Sequence, residues 1–387
     1  MHISGANRTG FGTFQASQTG MMSGNLDMFQ KEMIETGVKM RKECIVRPNA
    51  VPEAGPVQIH IPPEGNYFID TTSMRVNMDF KIEKRTAAGA WTALDETDKV
   101  APVNLFGKSI FKDVEVWLNS KQISLVASTA YHLKAYLETL SSFGVDASKG
   151  HLEASFWKPD TAGKEDTHDV NNLGWRDRAE FIKESKMVQT TDPLHTELAT
   201  LDKYMLPGVT IDLRFSLNEP NMFLMSAGTD TYRLKFTDFF LLFDRIEVEE
   251  SLRLRLEAEL EKGERAIYGM GRGTIRTKQI ASGETFANWA GAYTGRLPNS
   301  IMIGMMSSKA YNGDYTTNPF NFPDFNIDTI QIRVNSMTLP CTPLTLKDDK
   351  RRAYRHFFDN VGIYGGNSPA LLTFCLLYTS PSPRDRG

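Results

Sequence analysis

From Met74 to Ile82 the chain alternates without a break: Met74, Val76, Met78, Phe80 and Ile82 share one face, and Arg75, Asn77, Asp79 and Lys81 the other. A period of two sustained this long fits an extended strand with one dry and one wet face, and no helix can hold it. Val57-Gln-Ile-His-Ile61, stopped by Pro62-Pro63, repeats the pattern, as do Asp113-Val-Glu-Val-Trp-Leu118 and Val209 to Leu217. Asn119-Ser120-Lys121 has turn chemistry, so Gln122 to Leu125 is expected to return as a hairpin arm. Two stretches carry helical spacing instead. One is Tyr131 to Phe143, through Leu133, Tyr136, Leu137 and Leu140; the other is Ser251 to Lys262, closed by Gly263 as a C-cap. Many short strands, few helices and long loops point to sandwiches or jelly rolls rather than alternating βαβ units.

The chain has 387 residues, enough for two domains of about 150 to 200 residues each. Asn218-Glu-Pro220 stops a strand, and Tyr232 to Val248 opens what reads as a new strand series through Phe236, Phe239, Phe240, Leu242 and Ile246. The domain expectation is therefore an N-terminal arm over residues 1–24, a first unit over 25–222 and a second over 223–374. Residues 144–180 hold neither period, which predicts a long loop suited to contact rather than core. Ser300 to Met306 and Thr329 to Val334 read as strands. They flank a loop carrying Tyr311, Tyr315, Phe320, Phe322 and Phe325, aromatics expected to supply apolar contact between subunits.

Hydrophobic residues make up 41% and charged residues 24% of the chain, an ordinary globular balance. The formal charge of -3 and the pI near 6.2 argue against coating nucleic acid as the main task. Cys44, Cys341 and Cys375 match neither a zinc pattern nor a disulfide framework, which favours a reducing compartment. No apolar run approaches the length of a membrane helix, and no secretory signal opens the chain. The last residues, Cys375 to Gly387, resemble translated read-through of a sequencing adapter, so they are expected to be a non-native tail. The second unit is expected to lack its closing strand in consequence.

A set of short blocks, each weak alone, stands in a fixed order. They are Leu26-Asp-Met-Phe29, Gly55-Pro-Val-Gln-Ile-His-Ile-Pro62, Tyr67-Phe-Ile-Asp70, Pro102-Val-Asn-Leu-Phe106 and Val114-Glu-Val-Trp-Leu-Asn119. Then come Tyr131 with Tyr136-Leu-Glu-Thr-Leu140, Asp160-Thr-Ala-Gly163, Pro193-Leu-His-Thr-Glu197, Leu206-Pro-Gly-Val209 and the stretch from Arg296 to Pro340. In this order the chain resembles the double jelly-roll major capsid proteins of Maverick/polinton elements and adintoviruses, departing at Leu206-Pro207-Gly208, where such proteins usually carry a Leu-Asn-Gly-like turn. The resemblance implies an all-β, hexon-like chain with two tandem jelly rolls. It implies a homotrimer forming a pseudo-hexameric capsomer in an icosahedral shell, next to penton and minor capsid proteins. It further implies a structural role in the virion of a double-stranded DNA virus or virus-like transposon, assembled in the host nucleus or cytoplasm, without catalysis, cofactor or metal.

Residues that invite a chemical reading each have a plainer one. Gly269-Met-Gly-Arg-Gly273 lacks the Gly-x-Gly-x-x-Gly spacing and the βαβ setting of a phosphate loop, and fits a bend at a barrel corner. His132, His151, His168, His195 and His356 are scattered; only Thr167-His168-Asp169 sets a carboxylate beside an imidazole, and a solvated loop histidine is the ordinary case. Glu249, Glu250, Glu257, Glu259, Glu261 and Glu264 alternate with Arg253, Arg255 and Arg265 as on a wet helix face. Lys350-Arg351-Arg352 with Arg355 and His356 allows weak contact with packaged DNA, without sequence recognition. No Gly-x-Ser-x-Gly elbow is present, and Cys341, between Pro340 and Thr342, is taken as structural. The competing function is a carbohydrate-binding or glycosidase-like β-sandwich, motivated by Trp157, Trp175 and Trp289 as candidate sugar platforms.

Overall fold

The structure, a computed structural model, describes residues 37–50, 55–124, 130–271, 273–293, 295, 297–298, 301–334, 337–347 and 350–360. In chain order the strands are β1 (Val38–Val46), β2 (Val57–Ile61), β3 (Phe68–Arg85), β4 (Trp91–Ala93), β5 (Val100–Pro102), β6 (Phe111–Leu118) and β7 (Lys121–Gln122). They continue with β8 (Val188–Pro193), β9 (Ile211–Leu217), β10 (Leu224–Ser226), β11 (Tyr232–Val248), β12 (Thr329–Val334) and β13 (Met337–Thr345). The helices are α1 (Phe106–Ser109), α2 (Tyr131–Ser142), α3 (Val145–Ser148), α4 (Leu173–Ile182), α5 (Pro220–Phe223), α6 (Glu250–Glu261), α7 (Ser308–Asn312) and α8 (Arg351–Asn360).

Eight strands pair in a nested order, all antiparallel: β1 with β11, β2 with β9, β3 with β8, and β6 with β7. First meets last, second meets next to last, and the hairpin β6–β7 lies innermost. β11 also pairs with β3, and β9 with β6, so two sheets form, β1-β11-β3-β8 and β2-β9-β6-β7. This wrapped hairpin is a jelly roll, with successive strands mostly crossing between the sheets. β4 extends the edge of β3 beyond β8, and β5 with β10 makes a small buried ribbon. The chain is all-β in its architecture, with short helices and long loops laid on the sandwich.

The core is the sum of the alternating faces. Val57, Ile59 and Ile61 from β2, Met74 to Ile82 from β3, Ile211, Leu213 and Phe215 from β9, and Phe239, Leu241 and Phe243 from β11 meet between the sheets. Phe111 links the layers, with Phe215 at 5.2 Å and Phe239 edge-on at 6.3 Å. The β6–β7 turn works because Asn119 and Ser120 accept positive φ, 47° and 64°, as the primed hairpin turns require. The Asn119 side chain also takes the Thr210 N–H at 2.9 Å, tying the turn to β9.

The domain boundary moves. β11, read from sequence as the start of the second unit, is the eighth strand of the first jelly roll, hydrogen-bonded to β1 from Val38↔Val248 to Val46↔Leu241. β11 therefore belongs to the first jelly roll, whose nested pairing it completes against β1. Beyond it, α6 ends at Glu261, with Lys262 as C-cap and Gly263 following at φ +89°, as its C-cap pattern predicts. Among the described residues of 262–306 there is no further strand or helix, so Ile301 to Met306, the described part of an expected strand, do not form one. Thr329 to Val334 does, as β12, and pairs with β13. The arm over 1–24, the block at Leu26–Phe29 and the tail at Cys375–Gly387 lie outside the described residues.

Candidate functional site

A row of polar side chains lies where α1, α2 and the segment after β8 meet. All four residues of α1 are buried, and it starts at Leu105, held at φ 56°. Lys108, 1% exposed, donates from Nζ to His195 Nε2 at 2.6 Å, and His195 Nδ1–H donates to Glu138 Oε2 at 2.8 Å. A lysine ammonium can only donate, so this geometry assigns the imidazole as neutral, with its proton on Nδ1. Lys134 continues the row, 3.3 Å from Glu197 and 4.0 Å from Glu138. Behind Lys108 sits Asp192, 2% exposed, beside the hydroxyls of Ser155 and Thr190 without a well-aligned hydrogen bond to either. Burial pulls Lys108 down to about 8, opposed by Asp192 and Glu138, and pushes Asp192 up to about 6, opposed by Lys108. Burial and then the Lys108 charge hold His195 below its usual value.

Lysine, histidine and two carboxylates in one row is acid–base equipment by type; Lys108 is buried and His195 nearly so, while the Glu138 end of the row reaches solvent. Two surface depressions, of about 340 and 280 Å³, are lined by Gly55, Pro56, Lys112, Asp113, Ser216 and Leu217, and by residues from Leu94 to Lys183. Neither includes a member of the row. Among the described residues, no group of three or more His, Cys, Asp or Glu side chains could hold a metal ion. The row acts as a polar seam between elements.

A second network organises the stretch 144–180, which contains α3, a 3₁₀ turn at His151–Ser155, and α4. Arg178 is fully buried and donates to the Pro102 carbonyl at 2.7 Å, to the Lys158 carbonyl, and to Asp160 at 2.6 Å. Asn172 caps α4 by accepting from Trp175 N–H and Thr161 N–H, and donates to Asp160 at 2.9 Å. Asn318, from the distant aromatic loop, donates to the other Asp160 oxygen at 2.8 Å, and its backbone N–H donates to Asp166 at 2.6 Å.

Part of this stretch is core, contrary to the expectation of contact rather than core: Leu152, Phe156, Trp157, Trp175 and Arg178 are buried, while Val145, Val170 and Leu173 are exposed. Trp157 and Trp175 are 3% and 6% exposed, which removes two of the three proposed sugar platforms and leaves Trp289 alone at the surface. The aromatic loop behaves likewise: Phe320 stacks flat on Tyr136 at 4.1 Å, Tyr136 stacks on Trp157, and Tyr315 packs edge-on against Tyr232. Tyr311 and Phe325 remain exposed. Most of the loop's apolar area serves its own first jelly roll, because Asn318 pins it there.

The other flagged residues have plain roles. Asp169 accepts from Asn171, not from His168, whose Nε2 lies 3.1 Å from the Tyr315 carbonyl oxygen. His132 is buried beside Asn218 and pushed down to about 4 by burial; His151 meets the edge of Phe143. Gly273 lies where an added methyl would meet Lys134 at 2.9 Å and Glu138 at 3.0 Å, so this glycine allows close approach rather than a barrel bend. On α6, Arg253 pairs with Glu250 and Glu257, and Lys262 with Glu259, a wet face as expected. In the basic run, Lys350 binds Asp324, and Arg352 binds the carbonyls of Thr342 and Pro343. Cys44 is a free, half-buried thiol; the Cys341 side chain and Cys375 lie outside the described residues. The buried charges Lys108, Asp192 and Arg178 carry no sequence signal of their own.

No family model matches the chain. Over 250 residues it is 25% identical to an uncharacterised protein of Caenorhabditis elegans, covering 64% of this chain and 57% of that protein. A chain in the cryo-EM structure of the Sputnik virophage is similar with a TM-score of 0.41 at 10% identity, covering 60% of this chain and 53% of that one. The Faustovirus major capsid protein gives 0.37 at 11% identity, covering 63% and 59%. The mavirus major capsid protein gives 0.30 at 10% identity, covering 64% and 52%. The chain spans less than two thirds of the length of each of these proteins.

Proposed function

We propose that the protein is a major capsid protein of the double jelly-roll type, in which the jelly roll over Val38–Val248 is followed by a second one built from later residues. Three chains form a pseudo-hexagonal capsomer, and capsomers tile the icosahedral shell of a double-stranded DNA virus or virus-like transposon of the Maverick/polinton and adintovirus kind. The work is shape-complementary self-association, without catalysis, cofactor or metal. Partners are other copies, neighbouring capsomers, and penton or minor capsid proteins, and the place is the virion after assembly in the host nucleus or cytoplasm. Any touch on packaged DNA is weak and without sequence recognition.

The observation that carries this reading is that the described blocks resembling the capsid family keep their order along the jelly roll, three of them on its strands β2, β3 and β6. Gly55–Pro62 is β2, Tyr67–Asp70 opens β3, Pro102–Phe106 joins β5 to α1, and Val114–Asn119 is β6 with its turn. Tyr131 to Leu140 lies on α2, Asp160 holds Arg178, Pro193 to Glu197 follows β8, and Leu206 to Val209 precedes β9. A sandwich closed this way buries its interior edges and leaves loops to make contacts between copies. Light scattering on the purified chain over a concentration series is the test. A stable species of three times the 43.5 kDa chain mass is expected. A monomer at the highest concentration contradicts it.

A further inference from the structure

We propose that His195 is an acid-sensitive latch: its neutral imidazole, wedged between Lys108 and Glu138, holds α1, α2 and the segment after β8 together, and its protonation releases that corner with the overlying strap at 266–271 and 273–275. This inference stands independently of the capsid reading.

With Lys108 as the ammonium, the geometry permits one protonation state of the imidazole. Nε2 must accept from the Lys108 ammonium at 2.6 Å while Nδ1–H reaches Glu138 at 2.8 Å, in a side chain only 12% exposed. A second imidazole proton would sit on Nε2 and point at the ammonium, turning the central hydrogen bond into a repulsion between two buried cations. Either the imidazole or the lysine must leave, and each ties a different element. The strap is fastened just beside the row. Gly273 rests on Lys134 and Glu138, Tyr268 Oη accepts from Leu206 N–H and donates to the Tyr204 carbonyl, and Lys203 donates to the Ile267 carbonyl.

The charged and titratable groups facing His195 are Lys108 from α1, Tyr131, Lys134 and Glu138 from α2, Asp192 from β8, and Glu197 from the 3₁₀ turn at Glu197–Thr200. Since the folded His195 sits below its ordinary 6.5, the unfolded chain binds its proton more readily. Its stabilisation is complete above that value and is lost as pH falls through the folded one. Asp192 runs the other way. Raised from 3.8 to about 6, it favours the folded chain as pH falls through that window, so the total pH dependence mixes both.

Hydrogen–deuterium exchange of the full chain at about pH 7.5 and about pH 5, corrected for intrinsic rates, separates the two, because a His195→Gln variant keeps Asp192 but cannot titrate. Its carboxamide still accepts from Lys108 and donates to Glu138. Wild-type protection over Tyr131–Ser142 and the strap is expected to fall on acidification, and to stay unchanged in the variant. Unchanged wild-type protection, or an equal fall in the variant, overturns the proposal. Should the variant not fold, the wild type decides alone through exchange at the imidazole C2–H: the His195 titration midpoint must lie below 6.5 and coincide with opening, and separate midpoints overturn it.

Discussion

Arg178→Met should lower the unfolding free energy by about 3–5 kcal/mol, among the largest single losses in the chain. The guanidinium is fully buried, and its three acceptors come from three separate places, the Pro102 and Lys158 carbonyls and the Asp160 carboxylate. Methionine fills much of the volume but donates nothing, leaving the two carbonyls without their donor and the buried Asp160 charge without its cation. Asp160 also holds Asn172 and Asn318, so the α4 cap and the aromatic loop loosen together. Lys262, paired with Glu259 in solvent, is the control, and its replacement by methionine should leave the denaturation midpoint where it is. A midpoint for Arg178→Met equal to that of the control would contradict the assignment.

Gly107→Ala should cost about 3 kcal/mol, although alanine is ordinarily the better helix residue. The added methyl would stand 1.8 Å from Asp192 Oδ2 and 2.4 Å from its Cγ. That carboxylate is buried and cannot swing into water, so either β8 or α1 must shift. Truncating the obstacle tests the cause directly. In the double variant with Asp192→Ala, the loss should be smaller than the two single losses added, by about 1 kcal/mol or more. Strict additivity would show that the glycine matters for some other reason.

Sequence periodicity located the elements whose signal is local. Met74–Ile82 lies within β3, Thr329–Val334 is β12, and the turn at Asn119–Ser120 is a hairpin turn with the φ values its chemistry permits. What sequence could not supply is set by distance along the chain. β1 and β11 have no local mark of belonging together, and the apolar start of β11 looks the same whether it opens a new sandwich or closes an old one. The helix α4 was hidden by its own chemistry. Trp175, Arg178 and Ile182 are spaced to face inward, but the middle residue is an arginine, so the apolar stripe breaks where the buried ion pair sits. Lys108, His195 and Glu138 were invisible as a group for the same reason, since three charged or polar residues from separate segments meet only after folding. The resemblance blocks did better, because their order follows the order of the strands.

Single-particle cryo-EM of the purified oligomer tests the proposed capsomer of two jelly rolls per chain. A three-fold particle with a pseudo-hexagonal outline is expected, in which each chain contributes the jelly roll over Val38–Val248 and a second one beside it. A single sandwich per particle, with the residues after Val248 forming no second jelly roll, would contradict it.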